Sequence, residues 1–303
     1  MSRLAAALPP PSTGGHQNRD NDFNTGYLNS LSIKKARSHF QLMGSGGKQQ
    51  ESYRKRYSGS ILLSIQYRMH PSIAAFSSAM LYDSLLLTPS FLANARQFPR
   101  VFSASMPCDD NELCVRMVNV SGNNERKGAL KGYSKAMSVG PQFEFFGEKQ
   151  QTSYWNEQEA DVVVGLLKEA VAASVGDPSS PRSIGVVTPY MAQVDLIKKK
   201  IAENEDILSS LKKLETEVEV NTVDGYQGRE RDLIIISTVR SNRKGNIGFL
   251  RDWRRLNVSL TRAKSGLIVV GDQETLSGDR HWGSFLKWCN EVSCIFPPKG
   301  SQY

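Results

Sequence analysis

The sequence has few cysteines and no long hydrophobic run. Its four cysteines, Cys108, Cys114, Cys289 and Cys294, form no C-x-x-C pair and have no histidine at metal-ligand spacing. Neither a zinc site nor a disulfide framework is therefore expected. No stretch approaches the roughly 18 apolar residues that a membrane-spanning helix needs. These absences predict a protein without a metal site and without a membrane partner.

A phosphate-binding loop is also missing. The pattern G-x-x-x-x-G-K-[ST] holds nucleotide phosphates through backbone amides and a lysine. The candidate pair Gly47-Lys48 is followed by Gln49, and the upstream glycine of the pattern is absent. The acidic pair Asp109-Asp110 does not follow a buried apolar strand, which makes it a poor Mg²⁺ site. The sequence therefore predicts no complete Mg-nucleotide site.

Basic residues outnumber acidic residues by 38 to 30, which gives a net charge of +8. A polyanionic partner such as nucleic acid is one interpretation, and an ordinary solvated surface is the alternative. Residues 1–60 are rich in Ser, Gly, Asn and Gln, and Pro9-Pro10-Pro11 breaks any amphipathic helix there. We therefore expect a disordered or irregular segment without a convincing targeting signal.

Apolar runs and helical patterns alternate from residue 61 onward. The runs IGVVT, LIIIST and LIVVG are short and β-branched, as are strands buried on both faces of a parallel sheet. Residues 121–153 interrupt this rhythm with glycines and predict a surface insertion. We predict an α/β domain over 61–295, with a mostly parallel sheet and helices on both faces, followed by a tail at 296–303. The expected strands are 61–66, 114–120, 183–188, 217–223, 233–239 and 266–271, and the expected helices are 72–82, 156–173, 191–202, 207–214, 252–263 and 282–291.

Four polar clusters stand next to these elements. In open α/β sheets ligands bind beyond the carboxyl ends of the strands. Polar turns after three separate strands therefore predict a ligand site that includes Arg68. Asp252 is expected to cap the last cluster's helix, and Arg262 to project from its final turn; a solvated or helix-dipole arginine is the alternative. The clusters are QYRMHP (66–71), TPYMAQ (188–193), VDGYQGRERD (223–232) and RRLNVSLTRAK (254–264).

Together, and in this order, the clusters resemble the motifs of superfamily 1 helicases. The group in question contains the nonsense-mediated-decay helicase, senataxin and the immunoglobulin-mu-binding helicase. The asparagine-glutamate pair of WNEQEADVVVGLL and the phrase IGFLRD also fit. The resemblance covers residues 61–295 and implies the group's second, carboxyl-terminal RecA-like domain, of the P-loop NTPase type. Asp272 resembles a motif of the first domain, but its position after RRLNVSLTRAK assigns it to the closing strand of the second.

The resemblance implies a role for each matching residue of the nucleotide side. In the family, ATP lies in a cleft between two RecA-like domains. Arg68 and Arg262 would reach its γ-phosphate, because a guanidinium fork matches the charge on phosphoryl oxygens. Glu230 would accept from the ribose hydroxyls, and Gln227 and Gly228 would lie near the phosphates.

The remaining residues carry implied roles with open alternatives. Tyr67 is carried over to the nucleotide site, although packing is the alternative for Tyr67 and Met69. His70 is expected to hydrogen-bond its own turn. Single-stranded nucleic acid would cross the domain, with the two threonines donating to phosphates; for the tyrosine, a place at the core edge is the alternative. The residues implied to face the nucleic acid are Thr188, Tyr190, Gln193 and Thr222.

The family's first RecA-like domain, with its phosphate loop and Mg²⁺-binding acids, has no counterpart in this sequence. Residues 1–60 are too few to hold it. ATP and Mg²⁺ are therefore expected only when such a domain is supplied elsewhere, with negligible ATPase activity for the chain alone. The sequence leaves open whether the chain is a truncated reading frame, a fragment or a protein that lost its first half. It also leaves open whether the partner is RNA or DNA, and whether the compartment is the nucleus or the cytoplasm. The second hypothesis is a non-catalytic module that binds nucleic acid or protein.

Overall fold

The computed structural model describes residues 63–108, 113–128, 153–172 and 179–299. Several expectations fall outside these residues: the irregular segment 1–60, the acidic pair at 109–110, most of the insertion at 121–153 and the tail end at 300–303.

Eight strands and eight α-helices alternate along the described chain. The strands are β1 Val115–Asn119, β2 Glu125–Gly128, β3 Ser153–Asn156, β4 Ser183–Thr188, β5 Glu217–Thr222, β6 Arg231–Ser237, β7 Ala263–Gly271 and β8 Ile295–Phe296. The helices are α1 Pro71–Leu81, α2 Phe91–Ala95, α3 Glu157–Val171, α4 Met191–Ala202, α5 Glu205–Leu214, α6 Trp253–Leu260, α7 Gln273–Ser277 and α8 Arg280–Glu291. Short 3-10 helices cover Arg100–Phe102, Asp224–Tyr226 and Gly248–Arg251.

Six of the strands form one sheet in the order β5-β4-β6-β7-β1-β8, and every neighbouring pair is parallel. Consecutive residues of β4, β6 and β7 are buried, so both faces of the sheet are covered. Helices α3, α4 and α5 pack on one another, whereas α1 contacts α6 and α8. The predicted α/β, RecA-like architecture is confirmed.

Local sequence explains how the helices begin. Asn156, Asp252 and Asp279 stand just before α3, α6 and α8, and each side chain accepts a hydrogen bond from a backbone amide of the first turn. The predicted cap at Asp252 is therefore confirmed. The α6 helix ends at Leu260, however, and Ala263 already belongs to β7. Arg262 thus lies in the connection and not in the helix.

The strand expected at 61–66 is wrong over its described part, 63–66. This segment makes a single bridge, Ile65 to Leu87, and does not join the six-stranded sheet. Leu63 is 83% exposed. A β-branched apolar run suggests a strand, but a strand forms only where a neighbouring chain accepts its hydrogen bonds, and here only Leu87 does.

The described ends of the predicted insertion pair with each other. Strand β2 runs antiparallel to β3, with Glu125 opposite Asn156 and Gly128 opposite Ser153. Neither strand had been expected from the sequence. Their pairing brings Glu125 to the loop that follows β6, where it contacts Arg240.

Candidate functional site

The six parallel strands run in one direction, so the sheet has one side where its strands begin, here called the amino edge, and one where they end, the carboxyl edge. The predicted site residues divide between these two edges. The amino edge is formed by Glu230, just before β6, and by the connection 261–262 with the first residues of β7, because Arg231 pairs with Ala263. The carboxyl edge is formed by the ends of β4, β5, β6 and β7, including Thr188 and Thr222, which pair with each other.

Arg68 lies at the amino edge and not beyond the carboxyl end of a strand, which corrects the predicted placement. Its Nε is 2.5 Å from Glu230 Oε2, and its Nη1 donates to the Thr261 carbonyl at 2.9 Å. The backbone amide of His70 donates to the Lys264 carbonyl at 2.9 Å. The QYRMHP turn is therefore docked against the start of β7.

Side chains within QYRMHP hold this turn. Gln66 Oε1 accepts from the amides of Arg68 and Met69 at 2.9 and 2.8 Å. His70 Nδ1 accepts from the Ser72 amide at 3.1 Å and caps α1, as predicted for a histidine that hydrogen-bonds its turn. The packing interpretation is confirmed for Met69, which is buried. It is wrong for Tyr67, which is 60% exposed.

Two basic side chains pair with one carboxylate at the amino edge, and a third lies nearby. Lys264 Nζ is 3.1 Å from Glu230 Oε1, so Arg68 and Lys264 each hold one oxygen of Glu230. Partial burial alone would raise the pKa of Glu230, but the hydrogen bonds and charges of Arg68 and Lys264 lower it below its ordinary value. Arg262 completes the group; burial and the nearby charge of Arg68 lower the pKa of its guanidinium.

Arg262 also fits the alternative interpretation, that of an arginine at the carboxyl end of a helix. Its Nε donates to the Val258 carbonyl in the last turn of α6 at 2.9 Å, and its Nη2 donates to Thr261 Oγ1 at 3.0 Å. The guanidinium is thus fixed beside Arg68 by the helix end. Lys264 was missed as a site residue, although it closes the RRLNVSLTRAK cluster. The pairing of β6 with β7 explains its place at the site. Lys264 follows Ala263, which pairs with Arg231, the residue after Glu230.

Gln227 and Gly228 lie on the connection 223–230, which runs from the end of β5 to the start of β6. Both are exposed, and Gly228 has a positive φ of 83°. The connection is anchored by Tyr226, whose ring is buried against Gly185 in the intervening strand β4; a Cβ on Gly185 would lie 2.2 Å from Tyr226 Oη. Side chains at its far end, Arg229 and Arg231, form ion pairs with acidic residues of β5.

The residues predicted to face nucleic acid lie at the carboxyl edge, mostly under the surface. Gln193 is fully buried: its amide donates to the Asn156 carbonyl at 3.0 Å and to Ser237 Oγ at 3.1 Å, and its oxygen accepts from the Asn156 amide at 2.8 Å. Thr188 is equally buried, and its Oγ1 has no hydrogen-bond partner among the described residues. In this arrangement neither presents a side-chain atom to a ligand.

Tyr190 and Thr222 differ from those two. Tyr190 is 3% exposed and packs against Tyr154 and Phe249 in tilted geometry, with ring centroids 5.3 and 5.6 Å away. The core-edge alternative thus describes its position. Thr222 is half-buried, and its Oγ1 accepts from the Gly225 amide at 3.2 Å. Of the four, Thr222 is the one with side-chain surface open to solvent.

A buried polar network underlies this edge and was not expected from the sequence. Glu159 accepts from Ser237 Oγ at 2.7 Å and from the amide of Val239 at 2.8 Å. Burial raises the pKa of Glu159 to about 8. Val239 has a φ of 71°, which is strained for a β-branched residue, and its carbonyl accepts from Asn156 Nδ2 at 3.3 Å. The asparagine and Glu159 therefore hold the chain as it leaves β6.

A buried ion pair continues the network. Arg240 Nε and Nη2 donate to the Glu125 carboxylate at 2.8 and 3.1 Å, and the Arg240 guanidinium lies 4.3 Å above the Tyr154 ring. Asp272, the residue that resembles a first-domain motif, is also structural: it caps α7 and accepts from Ser241 Oγ at 2.6 Å.

The described residues contain neither a metal-ligand cluster nor a membrane-spanning helix. There, no group of three or more His, Cys, Asp or Glu side chains could hold a metal ion. In the same part of the chain, no helix combines the length and apolar character needed to cross a bilayer. None of the four cysteines, all of which lie in the described residues, forms a disulfide.

Comparison with known proteins agrees with the motifs. A family described as an AAA domain matches residues 47–274. An uncharacterized ATP-dependent helicase of Methanocaldococcus jannaschii is 34% identical over 77% of this chain and 30% of the relative. The helicase sen1 of Schizosaccharomyces pombe is 34% identical over 74% of this chain and 11% of the relative. The regulator of nonsense transcripts 1 homolog of Arabidopsis thaliana is 33% identical over 78% of this chain and 16% of the relative.

These similarities, with the parallel sheet and its motifs, define a helicase-derived RecA-like domain. The chain belongs to the superfamily 1 helicases, in the group that contains the nonsense-mediated-decay helicase and senataxin. It spans about a third or less of the length of these relatives.

Proposed function

We propose that this chain is the carboxyl-terminal half of an ATP-dependent RNA or DNA helicase motor. It works with a first RecA-like domain that supplies the phosphate loop and the Mg²⁺-binding acids. Within it, residues 61–295 form the second RecA-like domain, the 121–153 segment is an insertion and residues 296–303 are a tail. Arg68 and Arg262 contact the terminal phosphate of ATP, and Glu230 accepts from the ribose. Tyr67, Gln227 and Gly228, all exposed, border the same nucleotide.

The observation that supports the phosphate role is the excess of positive charge at the amino edge. Arg68 and Lys264 hold the carboxylate of Glu230, and Arg262 adds a third positive charge beside Arg68. Arg68 and Arg262 lie close enough for repulsion to lower the pKa of Arg262. An anion brought to this edge would relieve that repulsion, and guanidinium groups bind phosphoryl oxygens in a fork. Lys264 can keep Glu230 paired while Arg68 turns to the phosphate.

ATP, when bound, supplies the phosphoryl group whose transfer drives the motor. The part of this chain is to orient and to neutralise charge: Arg68 is held by Glu230 and the Thr261 carbonyl, and Arg262 by the Val258 carbonyl. Both arginines therefore start from fixed positions, which reduces the entropy lost in binding. The nucleic acid is proposed to contact Thr222 directly. Thr188, Tyr190 and Gln193 then support the track from below.

A first test is ATP hydrolysis by this chain fused behind a first RecA-like domain from a superfamily 1 helicase. We expect nucleic-acid-stimulated hydrolysis, and we expect Arg68→Ala to slow it by about 10³–10⁵-fold, as for other arginine fingers. Arg100→Ala, which removes an exposed arginine from a 3-10 helix, is the matched control and should leave the rate unchanged. Equal rates for Arg68→Ala and Arg100→Ala would refute the phosphate role.

The alternative function is a non-catalytic module that binds nucleic acid or a protein. The net charge of +8 favours nucleic acid as its partner. An inactive fusion whose chain still binds single-stranded RNA or DNA, with an affinity that falls steeply with salt, would support this alternative. An active fusion would exclude it.

A further inference from the structure

We propose that Phe249 is a stacking platform for a base of single-stranded nucleic acid, and that arginines on the same segment bind the adjacent phosphates. The inference rests on the proposed function and deepens it, because it names the contact that the buried Thr188, Tyr190 and Gln193 do not make. Phe249 belongs to IGFLRD, a segment that resembles the helicase group in sequence but has no role in the proposed function.

The ring of Phe249 is exposed yet supported from below. It is 58% exposed, although it lies 5.6 Å from the buried ring of Tyr190. Tyr190 in turn lies 5.3 Å from Tyr154. The exposed ring therefore packs, in tilted geometry, against a buried ring that is itself packed against a third. Such an aromatic can accept a further planar group, and every nucleobase has a π-face.

The platform lies where the strand ends meet. Phe249 lines a small pocket with Pro189, which directly follows β4, and with Val223, which directly follows β5. Arg255 lines the same pocket, with its guanidinium carbon 5.4 Å from the Phe249 ring. Arg255 also forms a two-pronged ion pair with Asp224, at 3.1 and 2.9 Å. The exposed ring thus stands beside Thr222 and the VDGYQG connection.

The backbone just before Phe249 is held close to Arg240 and Tyr190. Gly248 has a φ of +55°, and a Cβ there would lie 2.4 Å from Arg240 Nη1 and 2.8 Å from Tyr190 Oη. Asn246 Oδ1 accepts from the Gly248 amide at 3.1 Å, and Asn242 exchanges hydrogen bonds with the Asn246 backbone at 2.8 and 3.0 Å. A loop fixed in this way loses little freedom when a ligand binds.

The charge of the segment fits a polyanion and not an apolar protein partner. Residues 243–255 contain five basic side chains and the single acid Asp252, which is engaged in capping α6. Trp253, which is partly exposed, carries the guanidinium of Arg254 at 5.0 Å from its ring. Aromatic rings interleaved with arginines are the arrangement that binds bases and phosphates together. The basic residues are Arg243, Lys244, Arg251, Arg254 and Arg255.

The test measures binding of the purified chain, without ATP and at low salt, to single strands of about 16 nucleotides. Oligo-dT and oligo-U distinguish DNA from RNA, and an abasic strand of the same length lacks the stacking surface. We expect Phe249→Ala to weaken binding to the base-containing strands by about 5- to 150-fold, which corresponds to about 1–3 kcal/mol per stacked base. Phe249→Trp should retain the affinity and show fluorescence quenching on binding.

The matched control is Phe91→Ala, which removes a ring that is 57% exposed in α2. It should bind as the wild type does. The decisive comparison is the abasic strand: the wild type should bind it more weakly than oligo-dT, and Phe249→Ala should bind both alike. Arg254→Ala should instead weaken all strands and reduce the slope of log affinity against log salt by about one.

Two results would overturn the proposal. If Phe249→Ala binds as tightly as the wild type while both depend on salt, the platform is refuted and the nucleic-acid track of the proposed function stands. If the wild type binds no strand at low salt, both the platform and that track fail, and a change in self-association for Phe249→Ala would then assign the surface to protein contact. The ATPase test of the fusion does not depend on either result.

Discussion

The amino and carboxyl edges of the sheet use similar charged groups in different surroundings. At the amino edge, Arg68 and Glu230 form an ion pair whose side chains are 31% and 40% exposed. At the carboxyl edge, the Arg240 and Glu125 side chains are 4% and 15% exposed. Water can replace the partners in the first pair but not in the second. The amino edge is therefore suited to exchange partners, whereas the carboxyl edge is suited to hold the fold.

The largest expected difference between the edges comes from Arg240→Ala. Removing one partner of a buried pair leaves the Glu125 carboxylate without its cation, which costs about 3–5 kcal/mol. Urea unfolding should show this loss in the free energy of unfolding. The double variant Arg240→Met with Glu125→Gln should recover part of it, because no charge is then left unpaired. A loss below about 1 kcal/mol for Arg240→Ala would show that this pair behaves like an exposed one.

A second expected loss separates close packing from backbone strain. Gly248→Ala should destabilise the fold by about 2–4 kcal/mol, because the new Cβ combines a positive φ with contacts to Arg240 and Tyr190. Gly245→Ala is the control: its φ is +60°, but the nearest atom to its Cβ, the Thr275 carbonyl oxygen, is 4.0 Å away, so about 1–2 kcal/mol is expected. Equal melting temperatures for the two variants would mean that the close approach at Gly248 carries no energy.

Titration of Glu159 should make stability depend on pH. Its pKa is about 8 in the folded chain, against an ordinary value of 4.5. The folded state thus holds the proton more tightly, so this stabilisation is complete below about pH 4.5 and is lost as the pH rises through about 8. Over that window the free energy of unfolding should fall by up to about 1.4 kcal/mol per pH unit.

Glu159→Gln should remove most of that slope, since an amide does not ionise. Glu157→Gln, two residues away on the exposed side of α3, should keep it. Denaturant midpoints measured from pH 5 to pH 8 give the comparison. Parallel slopes for wild type and Glu159→Gln would show that the buried network does not hold a proton.

The smallest effect is expected at the amino edge. Glu230→Gln should change the free energy of unfolding by less than about 1 kcal/mol, because the pair with Arg68 is screened by water. What remains should vanish at high salt. Since Arg68 and Lys264 lower the pKa of Glu230, its contribution is present above the ordinary value and is lost as the pH falls through the lowered one.

The control for Glu230→Gln is Glu203→Gln, which removes an exposed partner of Lys199 at 3.8 Å. Both variants should unfold alike. A loss above about 2 kcal/mol for Glu230→Gln alone would mean that the two edges do not differ in the way described.

The sequence predicted the sheet better than the site. Strand β4 and helix α4 were predicted to the residue, because continuous β-branched runs and a 3.6-residue pattern both reflect burial that is local in the chain. The expected strand at 61–66 was wrong over its described part, 63–66, because this segment does not pair with a strand of the six-stranded sheet. Arg68, which follows this segment, consequently lies at the amino edge and not at the carboxyl edge, where the sequence had predicted it.

The site depends on contacts between distant parts of the chain. Gln193 looked like a surface residue of a motif, but its partners Asn156 and Ser237 are 37 and 44 residues away. Lys264 lies next to Glu230 because of the register between β6 and β7, and no local sequence pattern predicts that register. Phe249 was passed over because exposure cannot be read from an aromatic in a glycine-rich loop.

The connection 223–230 is a short covalent link between the two edges of the sheet. Strand β6 has seven residues and spans about 20 Å; with two sideways steps of about 4.8 Å past β4, the connection must cover roughly 22 Å. Three of its residues form a 3-10 turn, so its full reach is about 26 Å. Eight residues therefore carry contacts of both edges, Glu230 with Arg68 at one end and Asp224 with Arg255 at the other, and a connection shortened by two residues would no longer join β5 to β6.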